Sequence, residues 1–210
     1  MEKRWIVGIT GASGAIYGVN LCKALLSLGF PIHLVITDAG WRVLHEELGW
    51  QTSRRQAVLD EHFGQFSAPY QYYPIQDIGA VIASGSYKIE GMVIVPCSMG
   101  TLAAIAHGLS DNLLERAADV MLKEGRKLVI VPRETPLHTV HLKNMMTLTQ
   151  MGVRMVPAMP AFYNQPVSLD DIISFVVGKA MDSMGIDHEL YRRWGAVNEK
   201  DGKPNSHRTN

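Results

Sequence analysis

The sequence predicts a single-domain α/β fold, a three-layer Rossmann-like arrangement with a central parallel sheet and helices on both faces. Three observations carry this. Short β-branched runs bounded by turn residues alternate with longer segments of helical period. The first such run passes straight into a helical segment through a small-residue turn, Gly8-Ile-Thr-Gly11-Ala12-Ser13-Gly14-Ala15. A chain of 210 residues, 47% hydrophobic and 19% charged, is also long and apolar enough to bury one continuous core without dividing.

The predicted strands are Trp5 to Thr10, Pro31 to Thr37, Gly91 to Pro96, Lys127 to Pro132 and Arg154 to Pro157. Between them the apolar spacing predicts helices over about Ser13 to Leu28, Ala39 to Leu48, Met99 to Ala106, Leu113 to Glu124 and Thr139 to Met151. A final helix is expected over about Leu169 to Met184. Ser168 and Asp171 form a near relative of a capping box at its start, and Leu169, Ile172, Ile173, Val176, Ala180 and Met184 form its apolar face. Thr52 to Ser86 breaks the rhythm and reads as a short helix followed by an ordered excursion across the mouth of the sheet. Residues 1–197 are expected to form the domain and the polar stretch 198–210 a frayed tail.

Twenty basic residues balance twenty acidic ones, so no overall field draws the chain to nucleic acid or an anionic membrane. Two distant cysteines, Cys22 and Cys97, fit a reduced cytoplasmic protein with neither a disulfide framework nor a zinc knuckle. No segment reads as a signal peptide, and the longest apolar runs are far short of the roughly 20 residues that cross a bilayer.

Ligands of open α/β sheets sit beyond the carboxyl ends of the strands, which directs attention to the residues after each strand. In the first turn, small residues let backbone N–H groups approach an anion, the helix N-terminus adds positive potential and Ser13 adds a hydroxyl, so a phosphate fits. Two other readings compete. The glycines are also what a plain tight turn requires, and Gly8, Gly11 and Gly14, with Asp38 about 20 residues further on, are also expected of a dinucleotide-binding enzyme. Against the second, no Tyr has a Lys four residues later, as a short-chain oxidoreductase requires, and Asp38 opens a helix, where its charge suits the dipole.

A second cluster of hydroxyl and small residues, Ser98-Met99-Gly100-Thr101, follows the third predicted strand, and two such turns on one edge suggest a cofactor with a phosphate and a polar ring. Cys97 has no base adjacent in sequence and reads as a buried small residue rather than a nucleophile. Arg133 and Glu134 place a cation and a carboxylate directly after the fourth strand, on the cofactor side. His138 and His141 lack the Glu of a zinc hydrolase motif and read as helix-face residues. Arg116 and Lys123 are seven residues apart, hence on one helix face, where they are placed to grip an anion together.

Taken together, these motifs resemble the flavin prenyltransferase family, the UbiX-like flavoproteins, from about Trp5 to Trp194. The resemblance rests on T-G-A-S-G at Thr10 to Gly14, A-S-G-S at Ala83 to Ser86, P-C-S-x-G-T-L at Pro96 to Leu102 and N-L-L-E-R-A-A-D-V-x-L-K-E at Asn112 to Glu124. V-P-R-E-x-P at Val131 to Pro136, P-A-F-Y at Pro160 to Tyr163 and R-R-W at Arg192 to Trp194 complete the set.

The resemblance implies an enzyme that joins a dimethylallyl group from dimethylallyl phosphate to reduced FMN and supplies the prenylated flavin to a UbiD-type decarboxylase. It implies FMN contacts at Gly11, Ala12, Ser13, Thr37, Ser98, Met99, Gly100, Thr101 and Arg133. The donor phosphate is expected at Arg116, Lys123, Tyr163 and Lys179, with Ser13, Glu47 and Glu134 moving protons. A cytoplasmic dodecamer with sites shared between subunits is implied, and no metal, because the sequence lacks a D-D-x-x-D run for a magnesium diphosphate. Three positions depart from the common pattern: Lys179 where many members have Arg, Thr37 where Ser is common, and Ile78 where some carry Trp. Trp194 either closes the pocket or packs on a neighbouring subunit.

Two other functions stay open at this level. An FMN-dependent cysteine decarboxylase shares the scaffold, but its P-A-S-A-N-T stands here as P-C-S-M-G-T and its P-x-M-N-x-x-M-W segment is missing. A non-catalytic flavin carrier, such as an accessory subunit of a hydroxyarene decarboxylase, has no need of Glu47, Arg116, Lys123, Glu134 and Tyr163.

Overall fold

The strands are β1 (Trp5–Ile9), β2 (Ile32–Ile36), β3 (Tyr70–Tyr73), β4 (Gly91–Cys97), β5 (Lys127–Pro132) and β6 (Arg154–Met155), and the helices are α1 (Ala15–Ser27), α2 (Asp38–Leu48), α3 (Arg55–Phe63), α4 (Met99–Ala106), α5 (Leu113–Lys123), α6 (Thr139–Gln150) and α7 (Leu169–Met184). They belong to a computed structural model that describes residues 3–195; the expected tail 198–210 lies outside the described residues.

The strands form one parallel sheet in the order β3-β2-β1-β4-β5-β6. β1, β2 and β4 are buried along their whole length, as strands covered on both faces must be, and this is why they read as continuous apolar runs. Side-chain alternation divides the core in two. Trp5, Val7 and Ile9 of β1 pack with Leu25, Phe175 and Val176 on the α1 and α7 side, while Ile6 packs with Leu114 and Ala117 of α5 on the other. The chain order reverses between β1 and β4, so the crevice at their carboxyl ends is the topological switch point.

The predicted α/β architecture is the observed one. α4 and α7 run as the sequence predicts, and α7 carries the full capping box between Ser168 and Asp171. α1 starts two residues later than expected, because Gly14 takes a left-handed conformation (φ 98°) just before it. β6 is shorter than predicted.

The main correction concerns Thr52 to Ser86. A short helix is there as α3, but the segment also supplies an edge strand, β3, paired in parallel to β2. Residues 74–90 then descend one face beside α5 rather than crossing the mouth. Leu113 N–H donates to the Ile75 carbonyl at 2.9 Å, Arg126 donates to the carbonyls of Gly85 (2.6 Å) and Tyr87 (2.7 Å), and Glu90 N–H reaches Arg4 at the start of β1. The physical reason is topological: consecutive parallel strands require a crossover from the carboxyl end of one to the amino end of the next.

Candidate active site

Within the crevice, Gly14 turns the chain so that its own N–H and that of Ala15 point the same way. Both are taken by Glu47 of α2: its two carboxylate oxygens lie 3.0 Å from Gly14 N, and Oε2 accepts from Ala15 N at 2.9 Å. The anion predicted at this helix N-terminus is thus, in the structure, a side chain of the chain itself. Gly11 admits α2 closely, since a Cβ there would stand 2.5 Å from the Ala39 Cβ. Ser13 is exposed, Ala12 is buried, and Thr37 Oγ1 caps α2 by accepting from Gly40 N at 2.9 Å. Asp38 pairs with Arg55 at 2.9 Å instead of facing a ribose.

The tips of β4 and β5 join this turn through hydrogen bonds. Thr10 Oγ1 donates to the Pro96 carbonyl at 2.9 Å and accepts from Ser98 N at 2.7 Å. Ser98 Oγ caps α4 by accepting from Thr101 N at 3.3 Å. Arg133 Nε donates to the Ser13 carbonyl at 3.1 Å, which leaves its terminal nitrogens without a partner among the described residues. Met99 is buried, whereas a Cβ on Gly100 would meet nothing within 4 Å, so the first turn of α4 borders open space. Glu134 is exposed and its Oε1 accepts from Thr135 N at 3.0 Å.

Tyr17 belongs to this corner and was not singled out in the sequence. Burial raises its phenol above the ordinary value, while Arg133 pulls it down and Glu47 raises it further. Nothing in a lone helical tyrosine signals such neighbours. Cys97 and Cys22 are fully buried, and burial pushes both thiols up, away from nucleophilic use. His138 caps α6 by accepting from Val140 N and stacks on His141, ring centroids 3.5 Å apart.

Arg116 and Lys123 do share one side of α5, facing the turn from Ala83 to Gly85. Arg116 Nε donates to the Ala83 carbonyl at 3.2 Å and its Nη1 pairs with Asp119 at 2.7 Å. Lys123 pairs with Glu124 at 2.7 Å beside Gly85, where an added Cβ would lie 2.9 Å from Lys123 Nζ.

Tyr163, in the segment before α7, and Lys179, on α7, form a third group. Tyr163 packs edge-on against Phe175 (6.0 Å) and Trp194 (5.2 Å). Lys179 lies 3.4 Å from Asp182, whose carboxylate also accepts from Tyr191, Arg193 and His188. Burial alone would raise the Asp182 carboxyl, but hydrogen bonds from Tyr191 and Arg193 outweigh it and hold it down to about 2. Among the described residues, no hydrogen bond or ion pair connects the crevice, the α5 cations and the α7 group.

The donor set of the crevice suits a flavin mononucleotide: the exposed Ser13, the open first turn of α4 at Gly100 and the terminal nitrogens of Arg133 are what a phosphate and a polar ring require. A parallel sheet with this crevice at its switch point defines an α/β protein of the nucleotide-cofactor-binding class, and residues 1–181 match the Flavoprotein family. The flavin prenyltransferase UbiX of Halalkalibacterium halodurans is 58% identical over 191 residues, 91% of this chain and 93% of that protein. Among solved structures, AnUbiX (PadA1) in complex with FMN and dimethylallyl pyrophosphate superposes with a TM-score of 0.85 at 38% identity, covering 94% of this chain and all of that one. A dodecameric FMN-dependent UbiX-like decarboxylase from Escherichia coli O157:H7 has a TM-score of 0.83 at 45% identity, covering 92% and 100%. This chain belongs to the UbiX family of flavin prenyltransferases.

Proposed function

We propose that the chain transfers a dimethylallyl group from dimethylallyl phosphate to reduced FMN and passes the prenylated flavin to a UbiD-type decarboxylase. The observation that carries this is the meeting of Ser13, Glu47 and Arg133 at the switch point. Simple flavin storage has no use for a carboxylate and a guanidinium held on one turn, Glu47 at the Gly14 and Ala15 amides and Arg133 at the Ser13 carbonyl; proton movement does. The presence of FMN and an allylic diphosphate together in a 38% identical relative supports the same reading.

FMN, when bound, supplies the nucleophilic ring that accepts the prenyl group. Gly11, Ala12, Ser13, Thr37, Ser98, Met99, Gly100, Thr101 and Arg133 hold it. Lys179 and Tyr163, with Arg116 and Lys123, receive the donor phosphate, whose charge grows as the allylic C–O bond breaks; cationic and phenolic donors there stabilise that change. Glu134 Oε1 is bonded to its neighbour's N–H, so Oε2 is the atom placed to accept a proton, with Ser13 Oγ as relay and the Glu47 carboxylate, which also holds the turn, assisting proton movement.

Among the described residues no hydrogen bond or ion pair joins the three residue groups within one chain, which supports a complete site drawn from more than one subunit, in a homo-oligomer such as a dodecamer. Exposed apolar side chains near Tyr163, including Met159, Phe162 and Trp194, support this assembly. No described helix is long and apolar enough to cross a membrane, and the two buried free thiols support a cytoplasmic location. Residues 1–197 carry the whole activity.

Anaerobic incubation with reduced FMN and dimethylallyl phosphate is the test: mass spectrometry is expected to show a flavin heavier by one C5H8 unit. No mass gain with either the phosphate or the diphosphate donor overturns the assignment.

A further inference from the structure

Asp182 lies in the last turn of α7, outside every motif that carries the family resemblance. Its carboxylate nonetheless gathers four donors. Oδ1 accepts from Arg193 at 2.9 Å and from His188 Nε2 at 3.2 Å; Oδ2 accepts from the Tyr191 hydroxyl and from Lys179 at 3.4 Å. His188 Nδ1 accepts from Leu190 N at 3.1 Å, so its proton sits on Nε2 and is given to Asp182. These donors fill the lone-pair directions of one carboxylate, from two different stretches of chain.

The second stretch reaches Asp182 because of two glycines. Gly185 (φ 77°) ends α7 and reverses the chain, and Gly178 lets it lie flat on the helix. A Cβ on Gly178 would meet Tyr191 Cδ1 at 2.5 Å and His188 Cε1 at 2.7 Å. Tyr191 then covers Phe175 (4.9 Å), Arg193 lies over the Tyr191 ring (5.6 Å), and Trp194 stands edge-on to Tyr163. Lys179 and Tyr163 are therefore both held by one framework, the first through Asp182 directly and the second through Trp194 and Phe175.

We propose that Asp182 is a positioning residue for donor binding: it orients the Lys179 ammonium and ties residues 188–194 to α7 so that Trp194 stays against Tyr163. This rests on the proposed function, in which Lys179 and Tyr163 receive the donor phosphate. An isolated exposed Lys–Asp pair three residues apart does little to fix a lysine. A carboxylate already locked by Tyr191, Arg193 and His188 presents a fixed oxygen, and the lysine loses its freedom of rotation in advance of binding.

Asp182→Asn is the direct test, in the full-length protein. FMN affinity, read by flavin fluorescence, is expected within about twofold of wild type, because the crevice makes no contact with this carboxylate. The Kd of dimethylallyl phosphate by calorimetry and its KM are expected to rise about tenfold with kcat within about threefold, the size expected for one charged hydrogen-bond partner. Amide exchange over residues 186–195 is expected to accelerate. Unchanged donor affinity, or unchanged exchange, overturns the proposal. If Asp182→Asn fails to fold, the exposed Arg193→Ala and the conservative Tyr191→Phe decide it: weaker donor binding with intact FMN affinity supports it, and wild-type behaviour in both overturns it. Donor affinity and exchange need no turnover, so a wild-type protein that binds the donor without prenylating FMN refutes the functional reading and not this one.

Discussion

The N–H of Gly14 points between the two carboxylate oxygens of Glu47, 33 residues away in sequence, at 3.0 Å from each. This contact ties α2 to the start of α1 and fills the concave amide pair that a left-handed glycine creates there. Glu47 is thereby both a helix cap and a fixed charge in the crevice.

Glu47→Ala is expected to lower stability by about 1 kcal/mol, the usual worth of a helix N-cap, and to reduce prenyl transfer. Glu47→Gln, which keeps an acceptor but loses the charge, should fall between the two. Denaturant midpoints check the first effect; an alanine variant as stable as wild type would show that the cap contributes nothing.

Glu134 hangs free of α1 and α2, so its loss should act on chemistry alone. Glu134→Gln is expected to retain FMN and to slow transfer by about 100-fold or more, the range of a general acid–base group. Stopped-flow measurement of the first turnover checks this, and full activity would exclude the proton-accepting role.

Two glycines separate packing from binding. Gly18 carries α1 against β4: an added methyl would press on the Val95 carbonyl and stand 2.9 Å from Ile9 Cδ1. Gly18→Ala should therefore cost about 1–3 kcal/mol through overpacking. Gly100→Ala faces open space in a helix and should be neutral or slightly stabilising, while weakening FMN binding. Urea titrations and flavin binding on the same pair of variants read both effects; equal stability losses would contradict the crevice.

His33 makes the fold acid-sensitive. Its ring is buried on β2, with Nδ1 3.0 Å from the Tyr73 hydroxyl and Nε2 3.1 Å from that of Tyr87. Burial and, secondarily, Arg4 lower its pKa to about 4 from an ordinary 6.5. The unfolded chain therefore takes up this proton first. The stabilisation is complete above about pH 6.5 and is lost progressively as pH falls toward 4, amounting to roughly 2 kcal/mol after allowance for solvent screening. Comparing unfolding free energies at pH 7 and 4.5, His33→Asn should show a shallower loss than wild type; parallel losses would rule this out.

Local chemistry made much of the protein legible. Trp5 to Ile9 and Gly91 to Cys97 announce themselves because strands buried on both faces must be apolar throughout. The start of α7 announces itself because Ser168 and Asp171 satisfy each other's backbone donors within four residues. Tyr70 to Tyr73 gave no such signal: an edge strand half open to solvent carries no apolar run, and only β2 beside it makes it a strand.

The same division holds for the crevice. From the sequence alone come the α/β architecture, the small-residue turns at the strand tips, and the place of Ser13, Ser98, Arg133 and Glu134 just after those strands, all consequences of neighbours along the chain. Only the tertiary structure decides that Glu47 occupies the amides of Gly14 and Ala15, that Arg116 and Lys123 stand at the turn from Ala83 to Gly85, and that Asp182 gathers Lys179, His188, Tyr191 and Arg193. Each of these is a meeting of distant residues, set by how helices pack on a twisted sheet, and pattern along a chain holds no record of such packing.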